Sequence, residues 1–102
     1  MLRGGAWEGK GIVPPWWLQL ATRSSQSANP GYGLTWWANT QGALWDAVPH
    51  DAFAAMGYNT NLCCVIPSLD LVIVRVGAGP TQSTEVIAAP FLAAVAAAVI
   101  AD

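Results

Sequence analysis

Two apolar runs near the middle of the chain read most clearly as strands, Asn61–Ile66 (NLCCVI) and Leu71–Val76 (LVIVRV). Pro67, Ser68, Leu69 and Asp70 lie between them, and that is turn chemistry, so the two runs predict a β-hairpin. Both arms are almost continuously apolar, which predicts a sheet covered on both faces. Arg75 is the exception and is expected to reach a rim or an acidic partner. Upstream, YGLTWWAN alternates Tyr32, Leu34 and Trp36 with Gly33, Thr35 and Trp37, and its aromatic content favours a strand. AFAAM is a further short strand. The connection TQGALWDAVPHD between them is broken by Pro49.

Helical signals flank the strands. In IVPPWWLQLAT the two prolines suit a helix start, which predicts a short helix over 15–21. The polar stretch TRSSQSANPG then reads as a loop. GAGPTQSTE is a second loop, after which Glu85 favours a helix start through the helix dipole, with Pro90 as the alternative first residue. Phe91, Leu92, Val95 and Val99 share a broad face, so this last helix is expected to lie across the sheet. The order is helix, strand, strand, hairpin, helix. This is an α+β arrangement: an antiparallel sheet of about four strands, including the C-terminal hairpin, packed by a short N-terminal helix and an apolar C-terminal helix.

Composition changes this picture in one respect. The 102 residues are 54% hydrophobic and only 10% charged, against a usual charged share of about 25%. A domain of this size buries roughly two-thirds of its unfolded surface and needs polar cover for the rest. So few charges imply exposed apolar surface or a docking partner, and hence an incomplete unit. Net charge is −2, and the basic residues are scattered at positions 3, 10, 23 and 75, which argues against nucleic acid as a partner. The N-terminal stretch has no apolar signal-peptide core. The apolar run Val86–Ala101 contains Pro90 and falls short of the roughly 20 residues that span a bilayer, so it reads as a buried helix and not as a membrane segment. Cys63 and Cys64 are adjacent and would point to opposite faces of a strand. They read as small buried hydrophobes, with a lean toward a reducing, cytoplasmic compartment.

Few constellations for chemistry stand out. There is one histidine; Asp46, His50 and Asp51 cluster in the loop around Pro49, where a solvated loop explains them better than a metal, and no cofactor is implied. No Gly-x-Ser-x-Gly elbow exists, and Ser24, Ser25, Ser27 and Ser68 sit in turn-like contexts. Gly77 and Gly79 precede a helix as in dinucleotide-binding turns, but Gln82 stands at the third glycine position, and a lone Gly-x-Gly is a weak signal. The six tryptophans include the pairs Trp16–Trp17 and Trp36–Trp37. Core and interface packing explains them, with one of each pair buried and the other less so; a sugar or apolar ligand platform is the alternative.

Four segments in succession carry a resemblance: LRGGAWEGKGIVPPWWLQLAT, NPGYGLTWWAN, DAFAAMGYNTNLCCVIPSLDLVIVRVG and APFLAAVAAAVIAD. Together they resemble the C-terminal part of the serine hydrolases related to class C β-lactamases, D,D-peptidases and 6-aminohexanoate-oligomer hydrolases. The resemblance spans nearly the whole chain but only the last portion of that longer family domain. It implies that residues 1–102 form a single partial domain, the sheet side of a β-lactamase-like enzyme. The family's Ser-x-x-Lys nucleophile and its assisting tyrosine belong to the part not represented. The one lysine here is Lys10, with Trp7 in place of the serine. Ala55, Met56 and Gly57 occupy the place of the family's Lys-Thr-Gly, and only Gly57 matches, so the cation that would hold a β-lactam carboxylate is missing.

The resemblance further implies that Gly57, Tyr58, Asn59 and Thr60 line the substrate cleft, the Tyr58 N–H being one oxyanion-hole donor. On this reading the chain is inactive alone. It is a natural truncation, or Met1 is an internal methionine of a longer frame, and an ester or amide is handled only by the intact enzyme. Its partner is then the N-terminal part of the same hydrolase or another copy of the chain. The contrasting reading is a stand-alone, non-enzymatic interaction module, homodimeric so as to hide its apolar sheet face.

Overall fold

The structure, a computed structural model, describes residues 1–77 and 84–100. Its centre is a four-stranded antiparallel sheet in the order β3 (Trp37–Ala38), β4 (Phe53–Met56), β5 (Leu62–Ile66), β6 (Leu71–Arg75). The hairpin expected from the two apolar runs is present, with Cys64 opposite Ile73 and Ile66 opposite Leu71. Its connection is a single 3-10 turn over Pro67–Leu69, closed by Asp70 in the left-handed region at φ 50°. Helix α1 (Pro15–Ala21) starts at the predicted proline. Helix α2 (Thr84–Ile100) begins before Pro90, which lies inside it on an exposed side. Glu85 rather than Pro90 therefore marks its first turn. The architecture is α+β.

Alternation along the strands sorts the side chains into two faces. One face carries Ala54, Leu62, Cys64, Ile66 and Ile73, all buried, and α2 packs on it. The helix contributes Ala88, Leu92 and Ala96 at i, i+4 spacing, all essentially inaccessible, with Phe91 and Val95 half-buried beside them. This corrects the expected stripe: Val99 turns outward and is 38% exposed. Small alanines on either side of Leu92 let the helix backbone approach the sheet, so the seam follows Ala88–Leu92–Ala96 instead of the bulkiest residues.

The second face carries Ala38, Phe53, Ala55, Cys63, Val65, Val72 and Val74. It is covered at Ala38, Phe53 and Val65 but open along β6, so the expectation of two covered faces fails at the hairpin's outer arm. The partial cover comes from α1 and from a two-stranded ribbon, β1 (Ala6–Trp7) with β2 (Lys10–Gly11), which the apolar pattern did not predict. Glu8 and Gly9 both have positive φ (49° and 77°), the requirement of the tightest primed hairpin turn. Arg3 ties this N-terminal arm to the hairpin turn through Asp70, at 3.0 Å.

The strand expected over YGLTWWAN is replaced by a tight reversal. The Gly33 N–H donates to the Trp36 carbonyl at 2.7 Å, Thr35 has φ 67°, and Tyr32 bridges back to Trp37. Only Trp37 and Ala38 remain as strand. The position of Gly33 explains the bend: a Cβ there would sit 2.3 Å from the Ala21 carbonyl oxygen, so the chain must pass hard against the end of α1. Tyr32 and Trp37 then stack edge to face at 4.9 Å, as do Trp36 and Phe53 at 5.4 Å. The tryptophans also depart from expectation. Trp45 is in the core, whereas Trp16 and Trp17 are both exposed on α1, so that pair does not split into a buried and an exposed member.

The long connection between β3 and β4 is organised by one side chain. Asn39 is fully buried, and the two N–H groups of its side-chain amide are shared among the carbonyls of Trp45, Val48 and Pro49, which lie 2.9–3.1 Å from the nitrogen. Its side-chain oxygen accepts from the Leu44 and Trp45 N–H groups at 3.0 and 2.7 Å. The Leu44 and Trp45 N–H groups and the Val48 carbonyl thereby find a partner inside the protein, and the Trp45 and Pro49 carbonyls, which also accept from the Val48 and Ala52 N–H groups, gain a second one. Replacing Asn39→Ala leaves several of them buried without partners, each costing about 1–3 kcal/mol. We expect Asn39→Ala to lower unfolding stability by at least about 3 kcal/mol in urea titration; a loss under about 1 kcal/mol would show that the loop is held by other means.

Candidate functional site

The segment Gly57–Thr60 follows β4 directly. The Gly57 N–H donates to the Asn61 carbonyl at 2.9 Å, so these two residues are a hydrogen-bonded pair of the β4–β5 ladder. On the other side the Asn39 N–H donates to the Ala52 carbonyl at 2.9 Å. Antiparallel strands alternate the direction of their backbone groups, so both bonds fix the same parity. Phe53, Ala55 and Gly57 point their amides toward β5. Ala54, Met56 and Tyr58 point theirs the opposite way. Strand β3 pairs only with Phe53 and Ala54. Among the described residues, nothing pairs with the outward groups of Met56 and Tyr58, because the chain leaves β3 through the reversal at Gly33–Trp36.

Tyr58–Thr60 form a 3-10 turn with Asn59 in the left-handed region at φ 61°, a conformation asparagine tolerates well. The Tyr58 side chain is 88% exposed. Its carbonyl accepts from the Asn61 side-chain amide at 2.8 Å, and the Asn61 side-chain oxygen accepts from the Gly77 N–H at 2.9 Å. Asn61 thus clasps the turn to the far end of β6. It is the residue at this site that sequence reasoning missed, and a hairpin position by itself carries no sign of that role. Gly57 is extended (φ −132°), and a Cβ there would meet nothing within 4 Å. Ala55, Met56, Gly57, Asn61, Leu62, Cys63, Val74 and Val76 line a shallow recess of about 340 Å3 over the open face.

The other sequence candidates separate into structural roles. Ser25 donates to the carbonyls of Tyr32 and Gly33, and Ser68 donates to Asp51 at 2.8 Å. Both hydroxyls hold turns, as expected, and no imidazole stands between Ser68 and the carboxylate. His50 and Asp46 flank Gly42. Among the described residues no group of three metal-ligating side chains converges, and no helix is long and apolar enough to cross a membrane. Gly77 has φ 123°, and Gly79, the second glycine of the suspected nucleotide turn, lies outside the described residues. Comparison of the chain with family models, curated proteins and solved structures gives no match.

Cys63 and Cys64 point to opposite faces and remain unbridged, as their adjacency implied. Cys64 is wholly buried, and burial, reinforced by Cys63 and Asp51, pushes its thiol from the ordinary 9.0 up to about 12. The unfolded chain therefore releases this proton near pH 9 while the folded protein keeps it. Stability must fall as pH rises from about 9 toward 12, by up to about 1.4 kcal/mol per pH unit. Urea titrations across this range should give a steeper loss for the wild type than for Cys64→Ala; equal slopes would remove Cys64 as the cause.

Proposed function

We propose that this chain is the sheet side of the acyl-transfer cleft of a β-lactamase-related serine hydrolase, with esterase- or amidase-type chemistry in the complete enzyme. The observation that carries the reading is the outer edge at the end of β4, which β3 does not reach. There the Tyr58 N–H points outward from a strand edge next to an unobstructed glycine. An oxyanion hole needs backbone donors aimed at the place where charge develops, and a backbone donor does not depend on side-chain type. The open space at Gly57 leaves room for an acyl group to approach. Asn61 supports the turn that carries the donor, holding its carbonyl side while the N–H side stays free for a ligand.

On this reading the nucleophile belongs to the other half of the enzyme. Ser25 and Ser68 are committed to turns, and Lys10 lies in the β1–β2 ribbon. The exposed tryptophans of α1 and the open valines of β6 fit a unit that normally docks on more protein. The same exposed surface also serves a non-enzymatic interaction module, the second reading. Alanine at position 55, in place of a cation, favours neutral ester or amide substrates over β-lactam carboxylates.

The isolated chain should take up no covalent label from a fluorophosphonate or penicillin probe, and stoichiometric labelling would sink the proposal. If the frame upstream of Met1 encodes a Ser-x-x-Lys segment, the chain joined to that segment should take up label. Tyr58→Pro, which deletes the donor, should then slow acylation by about 10²–10³-fold. An upstream frame without Ser-x-x-Lys would favour the interaction module.

A further inference from the structure

The β1–β2 ribbon and the arm before it cover the second face of the sheet without closing on it. Between them lies a cleft of about 640 Å3, walled by Gly5, Trp7 and Ile12 on the ribbon side and by Trp36, Cys63 and Val72 on the sheet side. Packed interiors keep few voids larger than a water molecule, and this volume falls within the range of small-molecule sites. The roof of the cleft is braced at both ends. At one end Gly5 is buried with φ 89°, and its carbonyl accepts from the Ile12 and Val13 N–H groups at 2.8 and 2.9 Å. A Cβ on Gly5 would collide with the Val13 carbonyl, so this corner is already closed tight. At the other end Arg3 is pinned to Asp70 of the hairpin turn. The ribbon is thus held over the sheet face and does not need a ligand to keep its place.

The chemistry of the walls selects the occupant. Strands turn side chains, not N–H and C=O groups, toward a sheet face, so the floor offers another strand no ladder to join. Among the described residues Arg3 is the one charged group in the lining, and Asp70 neutralises it at 3.0 Å. A charged ligand would therefore lose hydration here and meet no free counter-charge. Two indoles stand in the walls. Trp7 comes from the ribbon, and Trp36 is fixed edge to face against Phe53 at 5.4 Å. Both offer aromatic surface against which a ring can pack. We propose that the cleft binds an uncharged, mainly apolar small molecule that carries an aromatic ring. The walls all belong to this chain, so the proposal does not rest on the hydrolase reading.

Fluorescence titration of the full chain with N-phenyl-1-naphthylamine, an uncharged aromatic probe, should saturate at one probe per chain. The bound probe should slow alkylation of the half-buried Cys63 thiol by iodoacetamide. A sulfonated analogue of the probe should bind at least about ten-fold more weakly, since its charge finds no partner. Ile12→Trp, a change at an exposed position, fills the cleft and should weaken probe binding by about ten-fold or more. Val76→Trp, on the same face but outside the cleft, should leave it unchanged. If Ile12→Trp disturbs the fold, as judged by its NMR spectrum, Val72→Trp replaces it with the same expectation. No saturable binding, equal binding of the sulfonated analogue, an equal loss in Val76→Trp, or full affinity in the filled variants overturns the proposal. Binding that weakens as the protein concentration rises, the sign of a second copy seated in the cleft, overturns it too.

Discussion

The antiparallel ladder of β4, β5 and β6 decides two things with one alternation: which side chains enter the core and which amides leave the sheet. Because Cys64 pairs with Ile73 and Ala54, these residues share the face that α2 covers. Because Gly57 pairs with Asn61, the amide of Tyr58 must face away from β5. A slip of one residue would send Ile73 and Cys64 to the open face and turn the Tyr58 amide inward. Core and proposed site are therefore not separate features, and the burial of Ile66, Cys64 and Leu62 against α2 is what holds the outward amides in register.

That dependence also explains why so much could be read from the hairpin and so little from what precedes it. In Asn61–Val76 the local signals agree: β-branched runs, a Pro–Ser–Leu–Asp turn and a length suited to strands. At Tyr32–Trp36 the signals conflict. Alternation favours a strand, but the chain must clear the Ala21 carbonyl at Gly33, and that tertiary contact leaves no mark on the apolar pattern. The ribbon around Glu8–Gly9 leaves no mark on the apolar pattern because its strands are only two residues long and exposed, too short to show a period. In α2 the largest residues were a poor guide, since helix-to-sheet approach depends on where the small residues are.

The proposed site is legible only through resemblance. Nothing in composition or periodicity marks Tyr58; it is an exposed tyrosine in a turn. Its distinguishing property is the direction of a backbone bond, which no residue type encodes and which emerges from ladder parity. The termination of β3 after two residues matters equally, since a longer β3 would cover the Met56 and Tyr58 amides. The bend at Gly33 therefore does indirect work: by turning the chain away early, it leaves the end of β4 open.

The low charge content takes on a definite meaning in this light. A sheet dresses one face with α2 and needs a second layer to finish the other. Here that second layer is α1 and the β1–β2 ribbon, which reach Phe53 and Val65 but stop short of Val74. The core behind α2 is well packed around Leu92 and Ile66, with Asn39 satisfying the adjoining loop, so the open valines are not a symptom of poor packing. Val74 and Val76 share a recess with Gly57, but the backbone groups of β6 point away from those of Met56 and Tyr58, and the two open edges thus pose separate demands. One presents isolated donors beside a glycine, suited to a small polar group, and the other presents a continuous strand's worth of backbone under an apolar stripe, suited to another strand.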